Sequence, residues 1–136
     1  MTPEEFKWDV LGDAVEEDYQ MLYEPLGWAR TQFPDWPDDE RQALAERTLR
    51  ELFDGDLIFF FRVGRWGDDV NRAGDDERMR LSPKEVDAVI SGADWRTVPL
   101  GPAGANVWFG PTRKGEETFA NLPPHIKRFF ESRWAD

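Results

Sequence analysis

A run of five apolar residues, Leu57 to Phe61, followed by Arg62 and Val63, restricts the fold more than any other segment of the chain. The run is too short for a helix of a globular protein, and glycines lie on both sides of it. It therefore predicts a β-strand over 57–63. Because apolar side chains occupy both faces of an alternating strand, we expect other elements to cover this strand on both sides.

The chain before this strand is predicted to be helical. Apolar residues recur at spacings of three and four from Val15 to Phe33, which is the period of one helical face. Asp13 is the predicted N-cap of this segment, and residues 1–12 are predicted to form an N-terminal arm. Pro25 lacks a backbone N–H and clashes with the preceding turn, so we expect the helix to break there and to restart as a second piece.

Local signals mark two further helices. The acidic segment 35–40 is typical of a helix start, because carboxylates are favourable at the positive end of the helix dipole. This helix is predicted to end at Gly55, which fits the left-handed position that follows many helices. Ser82, Pro83 and Glu85 form the pattern of a capping box with proline in the first turn, and they predict a helix that ends before the next glycine.

The rest of the chain completes an α+β pattern. Residues 64–80 are polar and rich in glycine, aspartate and arginine, and they are predicted to form a long loop. A hairpin is predicted after the second helix, with an edge strand, a glycine-proline turn and a returning strand. Further helices are predicted to begin at Thr112 and at Pro123-Pro124. The sequence thus predicts a single, mainly helical α+β domain over 1–136. Its small antiparallel sheet is predicted to have three strands, at 57–63, 95–100 and 106–110.

The order of these elements resembles that of a winged-helix domain. The resemblance covers roughly residues 37–122 and implies a winged-helix-like fold. Winged-helix DNA binders place the second of two helices in the major groove. Here one helix lies between the first strand and the hairpin, and it has none of the Arg, Asn and Gln residues that read bases, so DNA binding is not implied. The segments that carry the resemblance are 43–55 with its strand, 82–92, 95–100 and Val107-Trp108-Phe109-Gly110-Pro111-Thr112-Arg113-Lys114-Gly115.

Composition excludes several kinds of site. The chain has no cysteine, which excludes disulfides, thiol chemistry and zinc–cysteine centres. It has one histidine, His125, and neither a phosphate-binding glycine loop nor a nucleophile-elbow motif. We therefore predict no catalytic residue, no metal ion and no cofactor. The longest apolar run is far below the ~20 residues that span a bilayer, and the N-terminus lacks an apolar signal segment, so we expect a cytoplasmic protein without membrane contact.

The net charge of −11 is concentrated in the first part of the chain. Residues 1–57 contain 16 acidic and 5 basic residues, whereas residues 58–136 contain 12 of each. Such a surface repels nucleic-acid phosphates and attracts a basic protein by electrostatic steering. We therefore predict a non-enzymatic interaction domain whose acidic N-terminal helices bind a basic partner protein. The predicted acidic face comprises Glu4, Glu5, Asp9, Asp13, Glu16, Glu17, Asp18, Asp35, Asp38, Asp39 and Glu40.

Tryptophan is abundant for a chain of this size, with 7 residues. Trp8, Trp36 and Trp66 lie outside the predicted apolar stripes, so they are candidates for an exposed patch that contacts the partner. In size, charge and structural class the chain resembles the immunity proteins that bind and block a toxin, often a nuclease with a basic cleft. The resemblance implies an inhibitor-like role.

Two other functions are open to this sequence. A winged-helix-type nucleic-acid-binding regulator is the first alternative, with Arg96, Arg113 and Lys114 near the wing as contact residues. A small hydrolase is the second, because a chain with 28 acidic residues always offers carboxylate pairs for acid–base chemistry. No motif marks such a pair.

Overall fold

The computed structural model describes residues 1–63, 70–92 and 107–134, which form seven α-helices, a short 3₁₀ helix and three strands. The fold class is the predicted one, mainly helical α+β with a small antiparallel sheet. The helices are α1 (Pro3–Glu17), α2 (Glu24–Gln32), α3 (Asp38–Asp54), α4 (Val70–Asp75), α5 (Pro83–Ser91), α6 (Arg113–Ala120) and α7 (Pro124–Trp134). The strands are β1 (Gln20–Met21), β2 (Ile58–Arg62) and β3 (Val107–Pro111), and the 3₁₀ helix is Glu77–Met79.

β3 is the central strand of the sheet. It pairs antiparallel with β1 on one edge and with β2 on the other, so that Phe109 faces Gln20 on one side and Phe60 on the other. The third strand of the described sheet is therefore β1, which was not predicted. The predicted strand over 95–100 lies outside the described residues. The winged-helix arrangement stays a prediction.

The side chains of β2 alternate between two cores. Ile58 and Phe60 belong to the main core, to which α1, α2, α3 and α5 contribute buried apolar residues. Phe59 and Phe61 lie in a second cluster, where the ring of Tyr19 packs edge-on against both. The strand is thus covered on both faces, as its apolar run predicts.

Tyr19 joins the second cluster to the sheet. Its ring lies against Gly110 of β3 and Gly74 of α4, and a Cβ atom on either glycine would overlap the ring. The Tyr19 hydroxyl donates a hydrogen bond to a carboxylate oxygen of Asp75. Burial raises the pKa of Tyr19, and the bond to Asp75 raises it further. These contacts attach α4 to the segment between α1 and β1.

The predicted arm over 1–12 is wrong, because helix α1 begins at Pro3. Thr2 is its N-cap: the Thr2 hydroxyl accepts a hydrogen bond from the N–H of Glu5, and the Glu5 carboxylate accepts one from the N–H of Thr2. This is the same proline-containing capping box that predicts α5. Phe6 is completely buried, so the start of the chain is part of the core.

The predicted helical stripe from Val15 to Phe33 is interrupted. α1 contains Asp13, which is therefore not an N-cap, and strand β1 separates α1 from α2. Pro25 lies in the first turn of α2, as predicted. The apolar spacing continues across the break because Leu22, beside β1, is buried in the same core as the two helices.

Residues 64–80 are not a loop throughout. α4 and the 3₁₀ helix occupy 70–75 and 77–79, whereas residues 64–69 lie outside the described chain. Asp76 caps the 3₁₀ helix by accepting the N–H of Arg78, and the two side chains form an ion pair at 3.0 Å. Polar composition predicted a loop here, but the charged residues over 70–79 belong to α4, the 3₁₀ helix and the residue between them, and α4 packs against the second cluster through Val70 and Ala73.

The remaining helix starts follow their local signals. Ser82 and Glu85 form the predicted capping box of α5. Thr112 caps α6 by accepting the N–H of Gly115 at 2.9 Å. α7 begins at Pro124, as the proline pair predicts.

Candidate functional site

The ends of α1 and α3 lie at the same end of the sheet. β1 begins at Gln20, just after Asp18, and β2 begins at Ile58, just after Asp56. Both strands run antiparallel to β3: β2 starts beside Pro111, the last residue of β3, and β1 starts beside Phe109, two residues earlier. Neighbouring strands are about 4.8 Å apart and successive residues of a strand rise by about 3.4 Å, so the two strand starts are about 12 Å apart across β3. The residues that end α1 and α3 thus flank one end of the sheet.

Exposed carboxylates surround this end of the sheet, which we call the acidic end. All of its members are exposed to solvent. Neither α1 nor α3 has a basic residue in its last turn. The acidic end comprises Glu16, Glu17 and Asp18 from the end of α1, and Asp54 and Asp56 from the end of α3.

These carboxylates are placed unfavourably with respect to their helices. The C-terminal end of a helix carries about half a negative charge, so cations stabilise it and anions destabilise it. A carboxylate there costs about 0.3–1 kcal/mol at low ionic strength. The other end of α3 shows the favourable arrangement, since its first turn is acidic.

Two aspartates of the acidic end also have unusual backbone angles. Asp18 has a φ of 67° and Asp56 a φ of 60°, and they are the two non-glycine residues with positive φ in the described chain. The N–H of Tyr19 donates to the carbonyl of Glu17 at 2.8 Å, which makes Asp18 the centre of a γ-turn. A γ-turn with a positive central φ is rare and strained.

Asp56 occupies the position after α3 that glycine usually takes. Its N–H donates to the carbonyl of Phe53, and the N–H of Leu57 donates to that of Leu52, which together form a Schellman motif. Gly55 has a φ of −79° and is the C-cap. The prediction that Gly55 is left-handed is therefore wrong by one position, and the left-handed residue carries a carboxylate.

The start of α6 lies beside the end of α3. Thr112 Oγ1 donates to the carbonyl of Asp56 at 2.5 Å, and Lys114 Nζ donates to the carbonyl of Gly55 at 3.0 Å. Arg113 forms an exposed ion pair with Glu117 at 3.3 Å. Two of the three predicted nucleic-acid contacts, Arg113 and Lys114, thus bind groups of this chain. The third, Arg96, lies outside the described residues.

Glu24 adds a half-buried carboxylate near the end of α1. Burial raises its pKa above the usual value, the hydrogen bond from the N–H of Met21 opposes this change, and the charge of Glu17 adds to it. That hydrogen bond is 3.2 Å long. The negative charge of Glu17 at the end of α1 therefore acts on the carboxylate of Glu24.

The carboxylates predicted at the start of α3 are in positions that stabilise this helix. Asp38 accepts two hydrogen bonds from Arg30, at 3.0 and 3.2 Å, and lies 3.8 Å from Arg41. The bonds from Arg30 lower the pKa of Asp38. The other members of this group are exposed in or before the first turn of the helix, where its dipole favours anions: Asp35, Asp39 and Glu40.

Earlier carboxylates of α1 have still other surroundings. Glu5 belongs to the capping box. Asp9 is buried, with 5% exposure, so it is not part of an exposed face, and Asp13 is half-buried. Glu4 is exposed, and its carboxylate lies 3.9 Å from Nε2 of His125. His125 itself is also exposed, so this pair is a surface contact and not a shielded catalytic site.

The aromatic patch that the sequence suggests does not form from Trp8 and Trp36. Both are half-buried and pack against the main core, and Trp36 stacks on Phe33 with ring centroids 4.4 Å apart. Trp66 lies outside the described residues. Among the described side chains, the exposed large hydrophobic ones are Met1 and Met79.

Asp54 and Asp56 belong to the acidic end although the predicted face omits them. The segment Asp54-Gly55-Asp56 is readily interpreted as a helix end, which it is. Its proximity to Asp18 depends on strand pairing with β3, which is far away in the sequence. One sequence feature points to these two aspartates: the last turns of α1 and α3 contain no Lys or Arg.

Within the described ranges, no three His, Asp or Glu side chains come close enough to hold one metal ion. No helix of those ranges has the length and apolar character needed to cross a membrane. Comparisons with protein-family models, curated proteins and solved structures find no match to this chain.

Proposed function

We propose that the chain is a non-enzymatic interaction domain whose acidic end binds a basic surface of a partner protein. The observation that carries the proposal is that five exposed carboxylates lie at the negative ends of two helices, neither of which has a basic residue in its last turn. The positive φ angles of Asp18 and Asp56 add a second unfavourable feature at the same place.

A basic partner would add cations at both helix ends, of which the end of α3 already has Lys114 bound to the carbonyl of Gly55. Lys and Arg side chains beside the end of a helix interact favourably with its terminal carbonyl groups and with nearby carboxylates. The net charge of −11 adds a long-range attraction that speeds the encounter with a cationic surface. Charge is therefore the main basis for recognition that we propose.

The proposed surface differs from the predicted acidic face. It retains Glu16, Glu17 and Asp18 and adds Asp54 and Asp56. The carboxylates near the start of α3 are left out because the helix dipole and, for Asp38, two arginines already stabilise them.

The partner class that fits is a protein with a basic cleft, such as a nuclease. The chain would then act as an inhibitor, in line with its resemblance to immunity proteins in size, charge and structural class. We place this interaction in the cytoplasm, in keeping with a sequence that has no cysteine.

Two variants with equal changes in net charge test the location of the surface. The acidic-end variant combines Glu16→Gln, Glu17→Gln, Asp18→Asn, Asp54→Asn and Asp56→Asn. Asparagine is chosen because it tolerates positive φ. The control variant neutralises five exposed carboxylates elsewhere: Glu4→Gln, Asp35→Asn, Asp39→Asn, Glu40→Gln and Glu77→Gln.

The first measurement is an NMR titration of each ¹⁵N-labelled protein with a peptide of ten arginines. In the wild type, the amides of the acidic end should shift most, and the affinity should fall as salt rises. The acidic-end variant should bind at least roughly tenfold more weakly, a loss of about 1.4 kcal/mol, whereas the control should bind like the wild type. Equal weakening of both variants would show that net charge acts without a defined site.

The second measurement uses the same three proteins on beads to capture partners from a cell lysate at low and high salt. A partner held by the wild type and the control but lost from the acidic-end variant supports the proposal. Retention that does not weaken as salt rises contradicts it, because charge pairs at an exposed surface are screened.

A further inference from the structure

α7 packs through a small apolar cluster of its own. Leu122, Ile126 and Phe130 are buried together and form a group separate from the main core. Within the described chain, Trp8 of α1 and Phe119 of α6 are the half-buried side chains that pack against both clusters. The junction between α7 and the rest of the molecule is therefore narrow.

A groove of about 180 Å³ lies at the contact between α6 and α7, lined by Phe119, Leu122, Lys127, Phe130 and Glu131. It is open to solvent, since Lys127 and Glu131 are exposed. The apolar side chains at this groove therefore have water, and not a packed protein neighbour, on one side, so the groove adds no packing to the contact.

Trp8, which packs against both clusters, carries an unfavourable group. Its indole N–H is buried and has no hydrogen-bond acceptor among the side chains and backbone that the structure describes. A buried donor without a partner is destabilising, and it gains a hydrogen bond once water reaches it. Because Trp8 packs against the α7 cluster, opening of that cluster would bring water to this side chain.

The contact at the start of α7 adds little to the stability of the closed arrangement. His125 lies 3.9 Å from Glu4, and the two side chains are 68% and 60% exposed. Exposed pairs of this kind contribute little to stability because water and salt screen them.

We propose that α7 is a strap that opens from α1 and α6 as one unit while the main core remains folded. Opening would uncover parts of Trp8 and Phe119. In the closed molecule the exposed large hydrophobics of the described chain are two methionines. The proposal is independent of the acidic end.

Native-state hydrogen exchange followed by NMR tests this opening in the complete protein. A detached helix of 11 residues is only marginally stable in water, so the amides of α7 exchange while it is open. The amides over 127–131 should therefore share one protection factor, at least roughly tenfold below the slowest amides of α3, as separate opening units do. A common protection factor for α7 and α3 would overturn the proposal. A graded series that rises steadily from the C-terminal end would also overturn it, because it indicates fraying.

Two matched substitutions separate local from global opening. Ile58→Val removes one methyl group from the main core, and Ile126→Val removes one from the α7 cluster; the two isoleucines are 1% and 2% exposed. Ile58→Val should speed exchange in α3 roughly two- to tenfold and leave α7 unchanged, because the open state keeps the main core. Ile126→Val should speed exchange in α7 by a similar factor. If Ile58→Val speeds α7 as much as α3, then α7 opens only with the whole molecule and the proposal fails.

Discussion

Replacement of Asp56 by glycine should stabilise the protein. Asp56 follows α3 with a φ of 60°, in the Schellman position where glycine has no steric penalty. Its hydrogen bonds in the structure are made by the main chain: the N–H donates to Phe53, and the carbonyl accepts from Thr112. Asp56→Gly keeps both hydrogen bonds, relieves the backbone strain of a positive φ and removes a carboxylate from the negative end of the helix.

The expected gain follows from three terms. A left-handed backbone costs an L-residue about 1–2 kcal/mol, with aspartate at or below the lower end. Loss of the carboxylate returns about 0.3–1 kcal/mol at low ionic strength. The greater freedom of glycine in the unfolded chain takes away about 0.5–1 kcal/mol. The net expectation for Asp56→Gly is a gain of about 1 kcal/mol.

Asp56→Asn and Asp56→Ala separate the two causes. Asn keeps a side chain that tolerates positive φ and removes only the charge, so it should gain about 0.3–1 kcal/mol at low ionic strength. Ala removes the charge but retains the backbone strain, so it should be about 1 kcal/mol less stable than Gly. The part of the gain that comes from charge should shrink at high salt.

Urea unfolding at pH 7, at low and high salt, measures these differences as shifts in midpoint at a constant slope. For Asp56→Gly the melting temperature should rise by about 3–5 °C. If Asp56→Ala is as stable as Asp56→Gly, the backbone at this position is not strained. If Asp56→Asn is no more stable than the wild type at low salt, the carboxylate is not unfavourable there, and the argument for the acidic end fails.

Two further substitutions test the packing and the charge around this site. Gly115→Ala should lower the stability by more than about 2 kcal/mol in the same urea assay, because the added Cβ would overlap the main chain of Leu57, which cannot move aside without disturbing the sheet. An unchanged midpoint would show that α6 is not held so closely. Glu24→Gln should raise stability at neutral pH, because burial raises the pKa of Glu24 above its usual value of 4.5. The folded wild type thus retains this proton more than the unfolded chain does and loses stability as the pH rises through the folded pKa, whereas the variant should show a flatter profile from pH 4 to 7. Parallel profiles of the two proteins would contradict this assignment.

Local signals predicted most of the helix starts. Caps such as Ser82 and Thr112 act within three residues, so they can be recognised without knowledge of the fold. The same rule applies to Thr2, whose capping box with Glu5 lies within the predicted arm over 1–12 and marks the start of α1. The apolar strand at 57–63 was equally predictable from the sequence, since successive apolar residues within this short segment indicate burial on both faces.

Features that depend on distant pairing were not predictable in this way. β1 has two residues, and it is a strand only because Gln20 and Met21 pair with Phe109 and Trp108. No local sequence pattern can predict a strand of two residues. The same pairing places Asp18 and Asp56 at one end of the sheet, on either side of β3, so the acidic end could be found only from the register of the sheet. The left-handed residue after α3 was misplaced by one position because a glycine was available directly beside it.

The position of the acidic charge separates two interpretations of the composition. If the carboxylates served only to keep the surface solvated, the start of a helix would hold them at no loss of stability, as α3 does with Asp38. The carboxylates of the acidic end are instead at the helix ends where they reduce stability. Proteins that retain such an arrangement commonly do so for function, and variants that gain stability then lose activity. Asp56→Asn should therefore be more stable than the wild type and bind the decaarginine peptide more weakly. A variant that gained stability and bound the peptide as tightly as the wild type would leave the placement of these charges without a functional explanation.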